Sequence, residues 1–123
     1  MKLNEINDAE GEAIIRIIDA LPLLEQIATY RKPGEYDFRK LFPAEYAQFT
    51  LDAALLRDSG VQFVQRFGYW AGKVAEEMTN SDRVHSEFAF GSRQSRKQTA
   101  ALSRAAAKLE RAYHALVKEV TAR

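Results

Sequence analysis

The last thirty residues carry the pattern that most limits how this chain can fold. Apolar side chains recur there every three or four positions, which predicts a helix that is buried along one side. Seven alanines between positions 100 and 115 favour the same structure, and neither proline nor glycine follows Gly91. The apolar positions are Leu102, Ala105, Leu109, Tyr113, Leu116 and Val120.

The opposite side of this predicted helix carries charge of one sign. Like charges three or four residues apart, such as Arg104 and Lys108, each destabilise a helix by about 0.2–0.5 kcal/mol. A face that needed only solubility would alternate its charges at less cost, although solvated runs of like charge are common. We call this face the basic stripe, and its residues are the candidate contacts: Arg93, Arg96, Lys97, Arg104, Lys108, Arg111 and Lys118.

Three interpretations of the basic stripe are open at this point. It is an ordinary solvated surface, or it pairs with an acidic element of the same protein or its oligomer, or it binds an external acidic protein or polyanion. An acidic element exists on the first predicted helix, where Glu5, Asp8, Glu12 and Asp19 share one side. Residues 1–60 hold 11 acids and 7 bases, net −4, whereas residues 61–123 hold 6 acids and 11 bases, net +5.

Composition bounds the class of protein. At 123 residues, 46% hydrophobic and 28% charged, the chain is expected to form one globular domain over residues 1–123. The absence of cysteine excludes disulfides and thiolate metal sites. The acidic N-terminal residues lack the apolar core of a secretory signal, and no apolar run of about 18 residues exists. We therefore expect a cytoplasmic protein that makes no membrane contact.

The N-terminal half predicts one helix followed by an interruption. Asn7 or Asp8 can cap a helix over about residues 8–30, and Pro22 should kink it near Ile18 or begin a new helix. Pro33 and Gly34 then mark a turn. Four large apolar residues follow, predicted to plug one end of a bundle or, alternatively, to form a partner-binding patch: Tyr36, Phe38, Leu41 and Phe42.

The rest of the chain predicts a long helical hairpin. A regular spacing of apolar and small residues crosses Gly60 without a slip, which favours one helix over about residues 44–79, with a break at Gly60 as the alternative. Polar residues at 79–82 predict the turn, and a second arm over about residues 82–121 is either continuous or kinked at 90–92. The predicted fold is therefore all-α: a helical bundle built on an antiparallel hairpin, with the first helix packed on it.

The predicted lengths also bear on self-association. Arms of about 50 Å exceed what the first helix can cover. Some apolar surface near Phe63, Phe67, Tyr69 and Trp70 would then need another partner. A homodimer is the simplest source of that cover.

Residues with catalytic or metal-binding potential are sparse. Asp82 precedes His85 by three positions and Glu110 precedes His114 by four, so each pair shares a helix face. A carboxylate-bridged di-iron bundle needs two Glu-x-x-His segments, which are absent. Ser86 adjoins His85 but does not face it on a helix, and no phosphate-binding loop or nucleophile elbow occurs. We expect no enzyme activity, no cofactor and no metal.

One tripeptide resembles a known family. Trp70-Ala71-Gly72 has the Trp-x-Gly form found at the turn of small helical-hairpin proteins of the ESX type. Here it lies inside a continuous apolar spacing, and the C-terminal Tyr-x-x-x-Asp/Glu export signal is missing because Val117 holds its last place. We therefore assign the chain to no family.

The sequence favours a non-enzymatic interaction or regulatory protein whose basic stripe binds an acidic protein. The alternative is an accessory protein that binds the nucleic-acid backbone through the same residues, independently of base sequence. Six or seven cations along about 37 Å of helix suit phosphates. However, no aromatic residue of the same helix alternates with those cations, as single-strand binding favours.

Overall fold

The computed structural model describes residues 5–29, 43–89 and 91–121, and leaves out the side chains of 23–29, 82, 85 and 86. Four helices occupy this part of the chain, which contains no strand: α1 (Asp8–Thr29), α2 (Pro43–Arg57), α3 (Gln62–Glu87) and α4 (Arg93–Thr121). The prediction of an all-α helical bundle is confirmed. The predicted plug at Tyr36, Phe38, Leu41 and Phe42 lies outside the described residues.

The start of α1 follows its sequence signal. The Asn7 side chain accepts a hydrogen bond from the Glu10 amide at 2.8 Å, and the Glu10 carboxylate accepts one from the Asn7 amide at 3.2 Å. This reciprocal capping satisfies two backbone donors that a helix start otherwise leaves unpaired. The helix runs unbroken through Pro22 to Thr29, so the alternative of a new helix at Pro22 is wrong.

The predicted helix over residues 44–79 is wrong, because the chain breaks between α2 and α3. Ser59 donates its amide to the Leu56 carbonyl at 3.1 Å and accepts a hydrogen bond from the Val61 amide through its hydroxyl at 3.1 Å. Val61 is extended, which ends the helical path. The break at Gly60 is therefore the correct alternative, and the apolar spacing continues across it by coincidence of loop length.

The turn predicted at residues 79–82 is also wrong, since α3 continues to Glu87. Thr79 donates its hydroxyl to the Ala75 carbonyl at 3.3 Å, and the Asn80 amide donates to the Glu77 carboxylate at 3.2 Å. These polar side chains are thus satisfied within the helix or against neighbouring helices. Their polarity reflects contacts between helices, not a reversal of the chain.

The chain reverses instead between Phe88 and Ser92. Gly91 adopts a φ of 83°, a left-handed conformation that glycine reaches without strain. The Ser92 hydroxyl accepts a hydrogen bond from the Ser95 amide at 3.2 Å and so caps α4. The second arm of the hairpin therefore begins at Arg93, and the prediction that it starts at residue 82 is corrected.

Side-chain contacts show that helices consecutive in sequence pack antiparallel. Arg16 on α1 meets Asp52 on α2, while Ala20 and Phe49 line the same cleft. Tyr46 and Arg57 of α2 lie beside Thr79 and Gly72 of α3, respectively. Gln98 reaches Glu77, and Tyr113 lies against Phe67, which orients α4 against α3.

Helix α1 also contacts α4, so the four helices enclose one apolar core. Its fully buried members include Ile17, Leu56, Val64, Phe67, Val74 and Leu109.

The homodimer was predicted from a hairpin too long for the first helix to cover, and the observed hairpin does not have that length. Helices α3 and α4, at 26 and 29 residues, are shorter than the predicted arms. Helix α2 folds back on α3, so two helices instead of one cover this hairpin. Phe67 is fully buried as a result. Among the described residues, no helix is both long and apolar enough to cross a membrane.

Candidate interaction surface

The structure places the whole basic stripe on the outer side of α4. Helix α4 buries Leu102, Ala105, Leu109 and Leu116 against the other helices, as its apolar spacing predicts. All seven stripe cations are exposed. Within residues 5–29, 43–89 and 91–121, no carboxylate lies within 4.0 Å of any of them. The stripe is therefore available to a partner.

One stripe residue contacts an aromatic ring from a different helix. The Lys108 ammonium lies 4.7 Å from the centroid of the Trp70 ring on α3. This is a cation–π distance, and tryptophan is the best acceptor for that interaction. Arg104 and Arg111 flank Lys108 on the same face of α4, one helical turn away on either side. Trp70 thus lies at the edge of the densest part of the stripe.

A second aromatic residue extends this surface across α3. Tyr69 packs edge-on against Trp70, with ring centroids 5.0 Å apart, and keeps 41% of its surface exposed. The Lys73 ammonium and the Arg57 guanidinium lie 5.6 Å and 5.8 Å from the Tyr69 centroid. Two adjacent aromatic rings therefore lie between the cation of α4 on one side and those of α3 and the end of α2 on the other. We call Arg57, Tyr69, Trp70 and Lys73 the aromatic extension of the stripe.

Sequence reasoning missed the aromatic extension because its members are distant in sequence from the stripe. Trp70 and Lys108 meet only through the pairing of α3 with α4. The predicted hairpin had the wrong turn and therefore the wrong register. A usable signal exists in α3, where Arg66, Tyr69 and Lys73 recur three and four residues apart and so share one face.

A cleft of about 660 Å³ adjoins the aromatic extension where α2 meets α3. Two guanidinium groups, two side-chain amides and the Tyr69 ring line it, together with one carboxylate. Arg57 also passes over Gly72, where a Cβ would make ordinary van der Waals contact with the Arg57 guanidinium at 3.4 Å. The lining residues are Ala54, Arg57, Asp58, Gln62, Gln65, Arg66 and Tyr69.

The acidic side of α1 does not pair with the stripe inside the molecule. Glu5, Asp8, Glu12 and Asp19 are all exposed. Glu12 lies 4.0 Å from Arg16 on its own helix. No ion pair joins α1 to α4 in the described part of the chain. In the described part of the chain, the two charged faces therefore do not pair with each other within one molecule.

The buried carboxylate of Asp52 ties α1 to α2. Asp52 accepts hydrogen bonds from Arg16 at 2.9 and 3.0 Å and from the Gln48 amide at 2.9 Å. Hydrogen bonding to Asp52 raises the pKa of the Arg16 guanidinium above its ordinary value, with the Asp52 and Glu12 charges adding to the effect and desolvation opposing it. This bidentate pair is a structural contact, because the Asp52 acceptors are already used.

Among the side chains that the structure describes, the candidates for chemistry form no recognisable reaction centre. His114 and Glu110 are exposed, whereas the side chains of Asp82, His85 and Ser86 lie outside the described residues. No group of three or more metal-ligating side chains occurs among the residues that the structure describes. Glu76 pairs with Lys73 at 3.4 Å, and Glu77 accepts a hydrogen bond from Gln98 at 2.8 Å, so these two carboxylates have separate partners.

Comparison with known proteins leaves the surface to be interpreted from its own chemistry. No family model, no curated protein and no solved structure matches the chain. Trp70, Ala71 and Gly72 lie in the middle of α3, not at a turn between helices. What the geometry offers is a row of exposed cations, with cations also lying against the two aromatic rings beside it. Such a surface is suited to forming ion pairs with several anionic groups at once.

Proposed function

We propose that this protein is a non-enzymatic interaction protein that binds an acidic protein surface through the basic stripe of α4. The observation that carries the proposal is that seven exposed cations share one helix with no carboxylate of the described chain in contact. An arrangement that disfavours its own helix is retained more readily if a ligand neutralises it. Trp70, Tyr69 and Arg57 add residue types that dominate the energetics of protein interfaces.

Nucleic acid is the second candidate ligand, and the aromatic extension favours it. Proteins that bind single strands combine a cationic track with aromatic rings on which bases stack. Trp70 and Tyr69 supply rings beside Lys108 and Lys73, although α4 itself has none on that face. These two rings weaken the objection that no aromatic residue of α4 alternates with the cations of the stripe.

An acidic protein remains the better candidate because cations already contact these rings. Arg57 and Lys73 both lie over Tyr69, and Lys108 lies over Trp70. A base that stacked on a ring face already covered by a cation would have to displace that cation, which could otherwise bind phosphate. Carboxylates require no such displacement, since they pair directly with the ammonium and guanidinium groups.

Fluorescence anisotropy with three labelled probes tests the proposal. The probes are poly-L-glutamate, random duplex DNA and random single-stranded DNA, each titrated at low and at physiological salt. We expect poly-L-glutamate to bind, and R104Q/R111Q to weaken its binding about tenfold, because two cations leave the centre of the stripe. Binding should fall as salt rises, since screening weakens exposed ion pairs.

A second variant with the same net charge as R104Q/R111Q separates the loss of stripe cations from the change in the net charge of the whole protein. A44E/A47E also lowers the net charge by two, but both positions are exposed on α2, a helix that carries no residue of the stripe. It should weaken poly-L-glutamate binding less than threefold. DNA binding much tighter than poly-L-glutamate binding at the same salt, with a steep salt slope, would transfer the proposal to nucleic acid. Failure of all three probes to bind at low salt would reject both candidates.

A further inference from the structure

The molecule exposes a second charged face that is complementary to the stripe, and within the described residues its only ion pair is the exposed contact of Glu12 with Arg16 at 4.0 Å. Asp8, Glu12 and Asp19 are exposed on α1, while Ala13, Ile14 and Ile17 are buried on its other side. We propose that the acidic partner of the basic stripe is a second copy of this chain, which docks α1 of one molecule on α4 of another. This inference rests on the proposed function, because it names the partner of the same stripe.

The two faces match in spacing. Glu12 and Asp19 lie seven residues apart on α1, as do Lys97 and Arg104 on α4. Seven residues span about 10.5 Å and return to nearly the same side of a helix. Two helices laid side by side can therefore join both acids to both cations at once. Antiparallel helices pair Glu12 with Arg104, and parallel helices pair Glu12 with Lys97.

An apolar contact falls between the two predicted ion pairs. Ile15 lies between Glu12 and Asp19, and 61% of its surface is exposed. The pairing that joins the charges brings it opposite Ala101 in the antiparallel arrangement or Ala100 in the parallel one. Both alanines are small, so each leaves room for an isoleucine side chain. A large apolar residue centred in an acidic face thus meets a small-residue gap centred in a basic face.

The pairing must be intermolecular. Within one molecule, α1 and α4 contact each other, but the core side of α1 faces inward. Glu12 and Asp19 lie on the opposite side of α1 from Ile17, which is fully buried. They therefore point away from the α4 of their own molecule and meet only the α4 of another.

Four chains test the proposal by sedimentation velocity at low salt. The wild type should self-associate, and association should be lost at high salt because exposed ion pairs are screened. E12K/D19K reverses the α1 charges of both predicted contacts and K97E/R104E reverses the α4 charges, so like charges meet at these contacts and each variant alone should be monomeric. Their equimolar mixture restores both contacts and should associate, as should the single chain that carries all four substitutions. Circular dichroism checks that each variant keeps its helices.

The apolar contact has a matched control. I15A should weaken association about tenfold, since the side chain is buried only in the complex. L51A truncates a leucine that is 66% exposed on α2 and should leave association unchanged. A wild type that stays monomeric at low salt, or a mixture of the two charge variants that fails to associate, would overturn the proposal.

Poly-L-glutamate distinguishes failure of this inference from failure of the proposed function. E12K/D19K keeps the stripe and should bind the polymer at least as well as the wild type. If that variant and the wild type bind it while neither self-associates, the stripe has an acidic partner other than this chain. If neither binds the polymer and neither self-associates, both proposals fail together.

Discussion

Asp52 shows how one residue joins two helices whose sequence gives no sign of the contact. Its side chain is 3% exposed and accepts three hydrogen bonds from Arg16 and Gln48. An aspartate in an amphipathic helix is expected to face water, so sequence alone would place it outside. Its burial becomes possible only because a guanidinium from α1 lies opposite, 36 residues away in sequence.

Replacing Asp52 should therefore destabilise the fold. D52A leaves the Gln48 amide and the Arg16 guanidinium without their acceptor, and we expect a loss of about 2 kcal/mol in the free energy of unfolding. The value is below that of a fully buried pair because the Arg16 side chain is 45% exposed and water can solvate it. Urea unfolding measures the change. E45Q removes an exposed carboxylate from the same cleft and should cost less than about 0.5 kcal/mol.

The Arg16 guanidinium should add no pH dependence to the free energy of unfolding in the neutral range. Its hydrogen bond to Asp52 raises the pKa of Arg16 in the folded state. A raised pKa contributes stability below the unfolded-state value and loses it only as pH rises through the folded-state value. Both values are strongly alkaline for a guanidinium, so the Arg16 contribution is constant at physiological pH.

At the scale of elements, periodicity identified the helices better than their ends. The spacing within α4 is local, so Leu102, Leu109 and Leu116 could be placed in the core from sequence alone. The break after Arg57 was only the alternative to one continuous helix, because a loop that preserves the apolar spacing leaves no interruption in that pattern. The polar run at 79–82 was misread for a different reason: Tyr46, from another helix, supplies the partner of the Thr79 hydroxyl at 2.7 Å.

Close approach of α2 to α3 explains one glycine and provides a prediction. A Cβ on Gly68 would lie 2.5 Å from the Arg57 backbone nitrogen and 2.7 Å from the Leu56 Cβ. G68A should therefore destabilise the protein by about 1–3 kcal/mol, because the helices must separate. This loss would occur despite the higher helix propensity of alanine.

Gly11 is the matched control for that substitution. It lies in α1, and a Cβ there would meet nothing within 4 Å. G11A should stabilise by up to about 1 kcal/mol through helix propensity alone. Thermal unfolding of the two variants compares them directly. If both shift the melting temperature in the same direction, the close approach of α2 and α3 at Gly68 is not as described.

At the scale of the whole molecule, the stripe was predictable and its surroundings were not. One helix determines which side its cations occupy, so all seven were placed correctly on the outside. The neighbouring rings come from α3, and their position depends on the register between helices. The contact of Lys108 with Trp70 requires that register. The homodimer stays a prediction, and we now base it on charge complementarity between α1 and α4 instead of on uncovered apolar length.

An amide-resolved NMR titration with poly-L-glutamate tests the central claim most directly. Trp70 is the only tryptophan of the chain, so its indole N–H signal reports on the surface beside Lys108 without ambiguity. We predict the largest shifts at the amides of residues 97–111 and at this indole, reversed by added salt. Shifts concentrated on α2, or none at low salt, would contradict the claim that the basic face of α4 is the binding surface.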